Sequence, residues 1–223
     1  DQVAPSPDGS VVYAFSNRLT AQFGHTDGEQ FFSVNLASGA LTTLSTWYWN
    51  DSGIATPWVA LEGFFDITPD GATLVVSSRG LHCVSTISIS TGEVTLLAGV
   101  CDSSHTHGSQ PAAVDGFGTN ARFDSPKHVA VSNDGNTAYV LEQLRESRVR
   151  SIDLSTGEVA ELFLIGPADS AVWDLQISND DSVLYYAYSF WGSNAMHIKA
   201  YNLDTLSGTT VSGTGGGNIY SHL

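Results

Sequence analysis

The chain alternates short apolar runs with short polar turns, and this pattern occurs four times in nearly the same form. Each copy has an apolar run, a Ser/Thr-Pro/Asn-Asp-Gly turn and a second apolar run. The copies read QVAPSPDGSVVYAF from Gln2, FFDITPDGATLVVS from Phe64, HVAVSNDGNTAYVL from His128 and DLQISNDDSVLYYAY from Asp174. Pro-Asp-Gly and Asn-Asp-Gly between β-rich runs are strong hairpin signals. The pattern therefore predicts a hairpin in every copy, with Asp181 replacing the turn glycine in the fourth.

A second hairpin pattern follows the first in every copy. The segments FFSVNLASGALTTL, CVSTISISTGEVTLL, RVRSIDLSTGEVAEL and HIKAYNLDTLSGTTV each have two β-rich runs around a short glycine-containing turn. Little of the chain has a helical period, because glycine interrupts nearly every window long enough for a helix. Each copy is thus predicted to form four antiparallel strands, which we designate a, b, c and d.

Repeated four-stranded units favour an all-β fold, the β-propeller, because one such sheet cannot cover both of its faces alone. The sequence predicts a single propeller domain or propeller fragment over residues 1–223. Four copies are compatible with a small closed ring or with part of a larger one. The predicted blades span approximately 1–45, 64–100, 127–165 and 172–213, and 214–223 is predicted as a flexible tail or a closing strand.

The middle of the chain is similar to a known family of propellers. The segments TLLAGV, DGFGTNARFDSPKHVAVSNDGNTAYVLEQ and RVRSIDLSTGEV resemble NHL repeats and the related surface-layer YVTN-type repeats. The similarity is strongest from Val94 to Leu162 and weaker in the outer copies, although the same pattern covers nearly the whole chain. The resemblance implies a propeller without implying one activity, because fold and function separate easily.

Charge and hydropathy narrow the range of partners. The chain has 8 basic and 23 acidic residues, which gives a formal net charge of -15. Such a surface repels phosphate backbones and anionic lipids, so nucleic acid and membrane surfaces are disfavoured. No apolar run is long enough to insert into a bilayer, although the 42% hydrophobic content suffices for a sizeable core. The acidity favours solubility, with cation binding in acidic loops as the alternative.

The two cysteines, Cys83 and Cys101, flank the c–d hairpin of the second unit. If that hairpin turns near Gly92, the numbers of opposed residues sum to about 184, as those of the two cysteines do. Opposed residues in an antiparallel ladder lie roughly 4.5–5.5 Å apart, which is within disulfide reach. A register error of one residue would place them on opposite faces, which leaves two unrelated buried thiols as the alternative.

A disulfide implies an oxidising compartment, and other features agree with secretion. Asn50 begins an Asn-Asp-Ser glycosylation sequon in a predicted surface loop. The chain starts at Asp1 without a methionine, which is typical of a processed chain or an excised fragment. The protein is therefore predicted to be an extracellular or cell-surface glycoprotein.

All long connections are predicted on one face of the propeller. The a–b and c–d turns share one face and are tight, whereas the b–c and d–a connections share the other face and carry the insertions. Long loops on a rigid scaffold are where binding usually occurs. Every tryptophan lies in or beside these insertions, together with two other aromatic residues. This aromatic loop face comprises Trp47, Tyr48, Trp49, Trp58, Trp173, Phe190 and Trp191.

The aromatic loop face has two interpretations. Its side chains either pack the loops onto the ring and fill its hub, or contact sugars or a neighbouring protein subunit. Two polar clusters are predicted in the same region. His105 and His107 have a His-x-His spacing that suits one metal ion, with Asp102 or Asp115 nearby, although a polar Ser/His/Gly loop has this pattern without a metal.

The second polar cluster, His25 with Asp27 and Glu29, suits Ca²⁺ binding or acid/base chemistry, but a solvated loop is the simpler interpretation. His82 and His128, near strand starts, are expected to pack or hydrogen-bond there. No serine lies in a Gly-x-Ser-x-Gly elbow, and the predicted disulfide leaves no cysteine as a nucleophile.

An enzyme is the competing hypothesis, because some NHL-type propellers, which this chain resembles, are lyases or hydrolases with a metal at the central channel. Such a site needs His or carboxylate residues at matching positions of the a strands. Among those positions and their neighbours only Asp66 is a possible ligand, and His128 lies one position away. The positions are Val3, Phe65, Val129 and Leu175, with Ala4, Asp66, Ala130 and Gln176 beside them.

The favoured prediction is therefore a non-catalytic extracellular propeller that needs no cofactor, with binding of Ca²⁺ or Zn²⁺ as the alternative. Its expected partner is a protein, a glycan or another copy of itself, as a subunit of a cell-surface or filamentous assembly.

Overall fold

The computed structural model of the chain describes most of the sequence in seven stretches: residues 2–16, 28–48, 64–101, 113–143, 146–167, 170–190 and 195–215. These stretches contain seventeen β-strands and one short 3-10 turn, Gly118–Asn120, so the described structure is nearly all β. No helix in them has the length and apolar character needed to cross a membrane.

The strands form four antiparallel sheets, which confirms the predicted blades of a β-propeller fold. Blade 1 contains β1 (Gln2–Pro5), β2 (Val11–Ser16), β3 (Gly28–Asn35) and β4 (Leu41–Tyr48). Blade 2 contains β5 (Phe64–Ile67), β6 (Thr73–Ser78), β7 (Cys83–Ser88) and β8 (Val94–Gly99). Blade 3 contains β10 (Pro126–Val131), β11 (Thr137–Gln143), β12 (Glu146–Asp153) and β13 (Glu158–Pro167), with β9 (Gly116–Phe117) paired to the outer edge of β13. Blade 4 contains β14 (Ser170–Ile177), β15 (Val183–Phe190), β16 (Ala195–Asn202) and β17 (Ser207–Gly215).

An aspartate-centred turn joins the a and b strands of every blade. Its carboxylate accepts a hydrogen bond of 2.6 Å from the hydroxyl group two residues earlier, and this bond is the main cause that lowers the pKa of the carboxyl group, for Asp8 and Asp180 to about 2. Such side-chain hydrogen bonds stabilise tight turns, so they explain why the Ser/Thr-x-Asp motif closes each hairpin. The four pairs are Ser6–Asp8, Thr68–Asp70, Ser132–Asp134 and Ser178–Asp180.

The fourth a–b turn has Asp181 where the others have glycine. The three glycines have positive φ angles of 68°, 71° and 74°, and Asp181 takes the same left-handed conformation at 57°. Aspartate is one of the few residues that tolerate this conformation. Its carboxylate accepts hydrogen bonds from the backbone N–H groups of Asn133 (2.7 Å) and Asp134 (3.1 Å) in blade 3. The departure from the repeat therefore links two neighbouring blades.

Hydrophobic clusters fill the spaces between successive blades, whose innermost strands lie side by side in the order β1, β5, β10 and β14. Between blades 1 and 2 the cluster is aromatic, with ring centroids of Tyr13, Phe15, Phe31 and Phe65 separated by 5.6–5.9 Å. The cluster between blades 2 and 3 is mostly aliphatic, and the one between blades 3 and 4 is rich in tyrosine. Blades 2 and 3 thus have both faces buried.

A disulfide joins Cys83 and Cys101, as predicted, with Cα atoms 5.2 Å apart. The register from which we predicted it is wrong. The hairpin turns earlier than Gly92, and a β-bulge between Val84 and Ser85 shifts the pairing by only one residue, so Cys83 lies opposite Gly99. The numbers of opposed residues consequently sum to 181 near the turn and 182 beyond the bulge. Cys101 reaches Cys83 from just past the end of β8 rather than from a position in the ladder.

Candidate functional site

The long-loop end of the propeller, where the b strands end and the a strands begin, contains the aromatic loop face. Trp47 and Tyr48, expected in a connection, lie at the end of β4, and Phe190 lies at the end of β15. Trp173 is the member of this face whose side chain the structure describes. The side chains of Trp47, Tyr48, Phe190 and Glu29 lie outside the described part of the structure, as do His25, Asp27, Trp49, Asn50, Trp58, Asp102, His105, His107 and Trp191.

Trp173 is held in place while half of its surface faces solvent. It lies at a β-bulge in β14, it is 50% exposed, and its Nε1 donates a hydrogen bond of 3.1 Å to Ser189 Oγ. Lys127 Nζ lies 5.4 Å from the centroid of the indole ring. The same ammonium group donates hydrogen bonds to Val172 O (3.0 Å) and Gln143 Oε1 (3.3 Å). Trp173 is therefore a fixed, exposed aromatic surface beside a cation, and such a surface suits stacking and hydrophobic contact.

Phe64, His128 and Asp174 are equivalent a-strand residues of blades 2, 3 and 4, and His128 contacts both of the others. The rings of Phe64 and His128 have centroids 4.0 Å apart, and His128 Nδ1 lies 3.5 Å from Asp174 Oδ1. Burial lowers the pKa of His128 to about 3, and the charge of neighbouring Lys127 acts in the same direction. The contact with Asp174 is therefore one between a neutral imidazole and a carboxyl group, rather than an ion pair. As expected from the sequence, His128 packs near its strand start.

Asp66, which the sequence identifies as a candidate metal ligand, uses both carboxylate oxygens for backbone hydrogen bonds. Oδ1 accepts from Ile67 N and Oδ2 from Val131 N, each at 2.8 Å, so the side chain links blades 2 and 3. Burial raises the pKa of Asp66, and the two hydrogen bonds act in the opposite direction. Within the described residues, no group of three or more His, Cys, Asp or Glu side chains is arranged to hold a metal ion.

A buried ionic cluster lies at the same end of blade 3, on the side that faces blade 2. Glu142 and Arg150 are fully buried and pair through Oε1 and Nη1 at 3.2 Å, while Glu142 Oε2 lies 3.8 Å from Arg148 Nε. Arg148 also pairs with Glu161 (2.6 Å) and Glu146 (2.7 Å). Burial raises the pKa of Glu142 to about 7, with the guanidinium groups acting in the opposite direction. The carboxyl group therefore titrates near neutral pH.

Arg150 also anchors the connection that leads into blade 3. Its guanidinium donates to the carbonyl oxygens of Arg122 (2.6 Å) and Val114 (2.7 Å) and to Asp115 Oδ1 (2.7 Å). Asp115, which the sequence placed near a possible metal site, is thus an ion-pair partner of Arg150. Nearby, His82 Nδ1 accepts a hydrogen bond of 3.2 Å from Ser125 N, as expected for a structural histidine. The cluster fixes the d–a connection onto the blade.

Sequence reasoning missed this cluster, although one signal was present. In a strand, residues two apart share a face, so Arg148 and Arg150 share a face with Ile152. The hairpin repeat places Ile152 at a core position, since its equivalent Ile87 is also fully buried. Two arginines in line with a core residue indicate buried charges that require partners.

Comparisons with known proteins support the fold. No family model and no curated protein matches the chain. Among solved structures, the chain is similar to TolB from Acinetobacter baumannii, with 14% identity and a TM-score of 0.61, over 95% of this chain and 43% of that one. It is also similar to the hydrazine synthase of Kuenenia stuttgartiensis, with 19% identity and a TM-score of 0.56, over 95% of this chain and 47% of that one.

A third similar structure is that of a protein of unknown function from Desulfotomaculum acetoxidans, with 13% identity and a TM-score of 0.54, over 96% of this chain and 56% of that one. The chain spans less than half the length of the first two proteins. At these identities the similarity shows the fold alone, and that fold is β-propeller-like.

Proposed function

We propose that this protein is a non-catalytic propeller of the NHL-repeat or YVTN type that acts outside the cell. Its long-loop end binds a protein or a glycan, and the chain serves as a subunit of a cell-surface or filamentous assembly. The observation that carries the binding function is Trp173, whose ring is fixed by a hydrogen bond and by Lys127 while remaining half exposed. Rigid exposed aromatic side chains give contact area at a low entropic cost, which favours a recognition role.

The extracellular location is supported by the disulfide between Cys83 and Cys101, since such bonds persist in oxidising compartments. The sequon at Asn50 makes the location testable, because it is used only on chains that enter the secretory pathway. Expression in a secreting eukaryotic host should give a band that shifts on deglycosylation. The Asn50→Gln variant should lack the shift, and secretion without any shift in the wild type would remove the glycoprotein part of the proposal.

Binding rather than catalysis is supported by the roles of the candidate catalytic groups. Both oxygens of Asp66 accept backbone hydrogen bonds, and the imidazole of His128 is buried and neutral. The alternative is a metal-dependent lyase or hydrolase, which elemental analysis of the purified protein tests directly. Stoichiometric Zn²⁺ or Ca²⁺ that is lost in His105→Ala or Asp66→Ala would favour the enzyme.

The binding proposal is tested on a glycan array and a panel of extracellular proteins with the wild type and Trp173→Ala. Loss of a stacked aromatic contact is expected to weaken binding of any identified ligand about tenfold or more. Phe117→Ala is the matched control, because Phe117 is similarly exposed (55%) but lies on the outer edge strand of blade 3. Equal binding by the wild type and Trp173→Ala would contradict the role of this residue.

A further inference from the structure

Blades 2, 3 and 4 each contact the preceding blade through the same three positions. These positions lie on what we call the leading face: one in the a strand, and an opposed pair in the b and c strands. All nine residues are no more than 8% exposed. They are Phe65, Leu74 and Ile87 in blade 2, Val129, Ala138 and Ile152 in blade 3, and Leu175, Leu184 and Tyr201 in blade 4.

The leading face of blade 1 has the same apolar positions, but none of the described strands covers it. They are occupied by Val3, Val12 and Val34, with Val12 opposite Val34 in the register of the other blades. Val3 is 65% exposed, and Val12 and Val34 are half-buried. Phe32 and Leu41 lie on the same face, and Leu41 is also 65% exposed. Blade 1 therefore presents an apolar sheet face of the kind that is buried three times elsewhere in the molecule.

Blade 4 presents the complementary, trailing face, which in blades 1, 2 and 3 packs against the next blade. In blade 1 the two b-strand positions of this face are Tyr13 and Phe15, and both are buried. The equivalent residues of blade 4 are Tyr185, which is 38% exposed, and Ala187, which is half-buried. Ala200 and Ile198 lie opposite them on β16 and are also half-buried. These four residues make the trailing face of blade 4 apolar, and no strand in the described part of the chain packs over it.

We propose that a second copy of this chain covers these faces, with the trailing face of blade 4 of one copy packed on the leading face of blade 1 of the next. This inference deepens the assembly part of the proposed function and names its partner. The chain carries both halves of a contact that it already makes between blades 1 and 2, 2 and 3, and 3 and 4. The contact between copies continues that interface.

The distribution of charge also favours a second copy of the chain as the partner of these two faces. Copies with a formal charge of -15 repel one another through most of their surfaces. The leading-face residues Val3, Val12 and Val34 and the trailing-face residues Tyr185 and Ile198 are all uncharged, so contact between them buries apolar area. Asp174, opposite Ala187, is an acidic residue on the trailing face, and the three leading-face valines bring no second carboxylate to it. Because different faces meet, the interface is heterologous, and it either closes into a ring or continues as a filament.

Multi-angle light scattering over a concentration series tests the inference on the wild-type chain. The expected result is a mass that rises above that of one 23.6 kDa copy with concentration. Val3→Asp on the leading face and Tyr185→Asp on the trailing face should each weaken association about a hundredfold, because each buries an unpaired carboxylate. Both residues are exposed in the single chain, so the substitutions leave its core intact.

Mixing the two variants makes the test specific for a head-to-tail contact. A Val3→Asp copy retains an intact trailing face and a Tyr185→Asp copy retains an intact leading face, so the mixture should form a dimer and nothing larger. Leu164→Asp is the matched control, since Leu164 is 54% exposed on the outer strand of blade 3 and should leave association unchanged.

Three results would overturn the inference: a wild type that stays monomeric at high concentration, association unaffected by both variants, or a mixture that remains monomeric. Failure of this interface is distinguishable from failure of the binding proposal, because ligand binding is measured separately through Trp173→Ala. Association without ligand binding would overturn the binding proposal alone.

Discussion

Blades 2 and 3 contain nearly the same c–d hairpin, ISISTGEV and IDLSTGEV, but its open end is held in two different ways. In blade 2 the end is closed covalently, by the disulfide between Cys83 and Cys101. The residue equivalent to Cys83 in blade 3 is Arg148, which pairs with Glu161 and Glu146. The repeat therefore specifies the strands and the turn, while the means of fixing the strand ends is free to vary.

Blades 2 and 3 also differ two residues further along the c strand. Ser85 in blade 2 corresponds to Arg150 in blade 3, and both are fully buried. Arg150 fixes the d–a connection by donating hydrogen bonds to Asp115 and to two carbonyl oxygens. A disulfide is broken by a reductant, whereas an ion pair is weakened by a change of pH. The two blades should therefore lose stability under different conditions.

The largest effect is expected from Arg150→Met, which removes the ionic anchor of blade 3. It leaves Glu142 buried without its closest cation. It also removes the side-chain donor to the carbonyl oxygens of Arg122 and Val114, which keep only their backbone hydrogen bonds to each other's N–H groups. Loss of one partner of a buried pair costs about 3–5 kcal/mol of unfolding free energy. Urea unfolding at pH 8 measures this, with Lys199→Met as a control of equal charge change at a partly exposed site. A cost no larger than that of the control would show that the anchor does not stabilise blade 3.

The next effect is expected in blade 2, on reduction of the disulfide. The bond closes a loop with a sequence separation of 18, and a loop of this size contributes about 3 kcal/mol in the chain-entropy model. Unfolding should shift to lower urea when the protein is reduced. The double variant Cys83→Ala, Cys101→Ala should show the lower stability without responding to reductant. Equal stability of the oxidised and reduced protein would show that the disulfide does not stabilise blade 2.

Blade 3 should instead respond to pH, through Glu142. Its pKa is raised from 4.5 to about 7 in the folded state, so between these values the folded protein binds the extra proton. Stability must then fall as pH rises from about 4.5 to 7, by on the order of 2–3 kcal/mol. Comparison with Glu142→Gln isolates this contribution, because the amide does not titrate. If the unfolding free energies of the wild type and of Glu142→Gln changed with pH in parallel, Glu142 would not be the source of the pH dependence.

The sequence predicts the hairpins well because the signal for them is local: β-rich runs around turn residues that fix the backbone. It does not predict the register of β7 and β8, since the turn sequence does not specify which residues lie at the centre of the turn, and the bulge at Val84 and Ser85 leaves no mark in the pattern of apolar residues. The disulfide prediction succeeded nonetheless, because Cys101 lies close enough to the strand end to reach Cys83.

The candidate site is harder to predict, because its interactions join segments distant in sequence. Arg150 binds Val114 and Arg122, which lie 36 and 28 residues away in the sequence, as well as Glu142 on the neighbouring strand. Alternation within the strand signals that Arg150 is buried, but identifies none of these partners. The sequence also identifies the residues of the aromatic loop face. It does not predict the hydrogen bond from Trp173 to Ser189, because that bond depends on how β14 pairs with β15.

The smallest effect on stability is expected from the residue by which the two hairpins differ at the turn itself. Asp153 in blade 3 accepts hydrogen bonds from Ser155 Oγ (2.6 Å), Thr156 N (2.8 Å) and Ser155 N (2.9 Å), and these lower its pKa, that from the Ser155 side chain most. Blade 2 has Ser88 at this position. Asp153→Ser makes the turns alike, and should lower the melting temperature by less than about 2 °C at pH 7, because the carboxylate is exposed.

The pH dependence of this small difference follows from the direction of the pKa shift. A carboxyl group with a lowered pKa stabilises the fold above its ordinary value of 3.8 and loses that contribution as pH falls through the folded value. Melting curves of the wild type and Asp153→Ser should therefore converge on acidification, opposite to the direction expected for Glu142. A difference that persists at low pH would assign the effect to the shape of the turn rather than to its charge. In that case the two hairpins would differ in backbone preference as well as in the way their open ends are held.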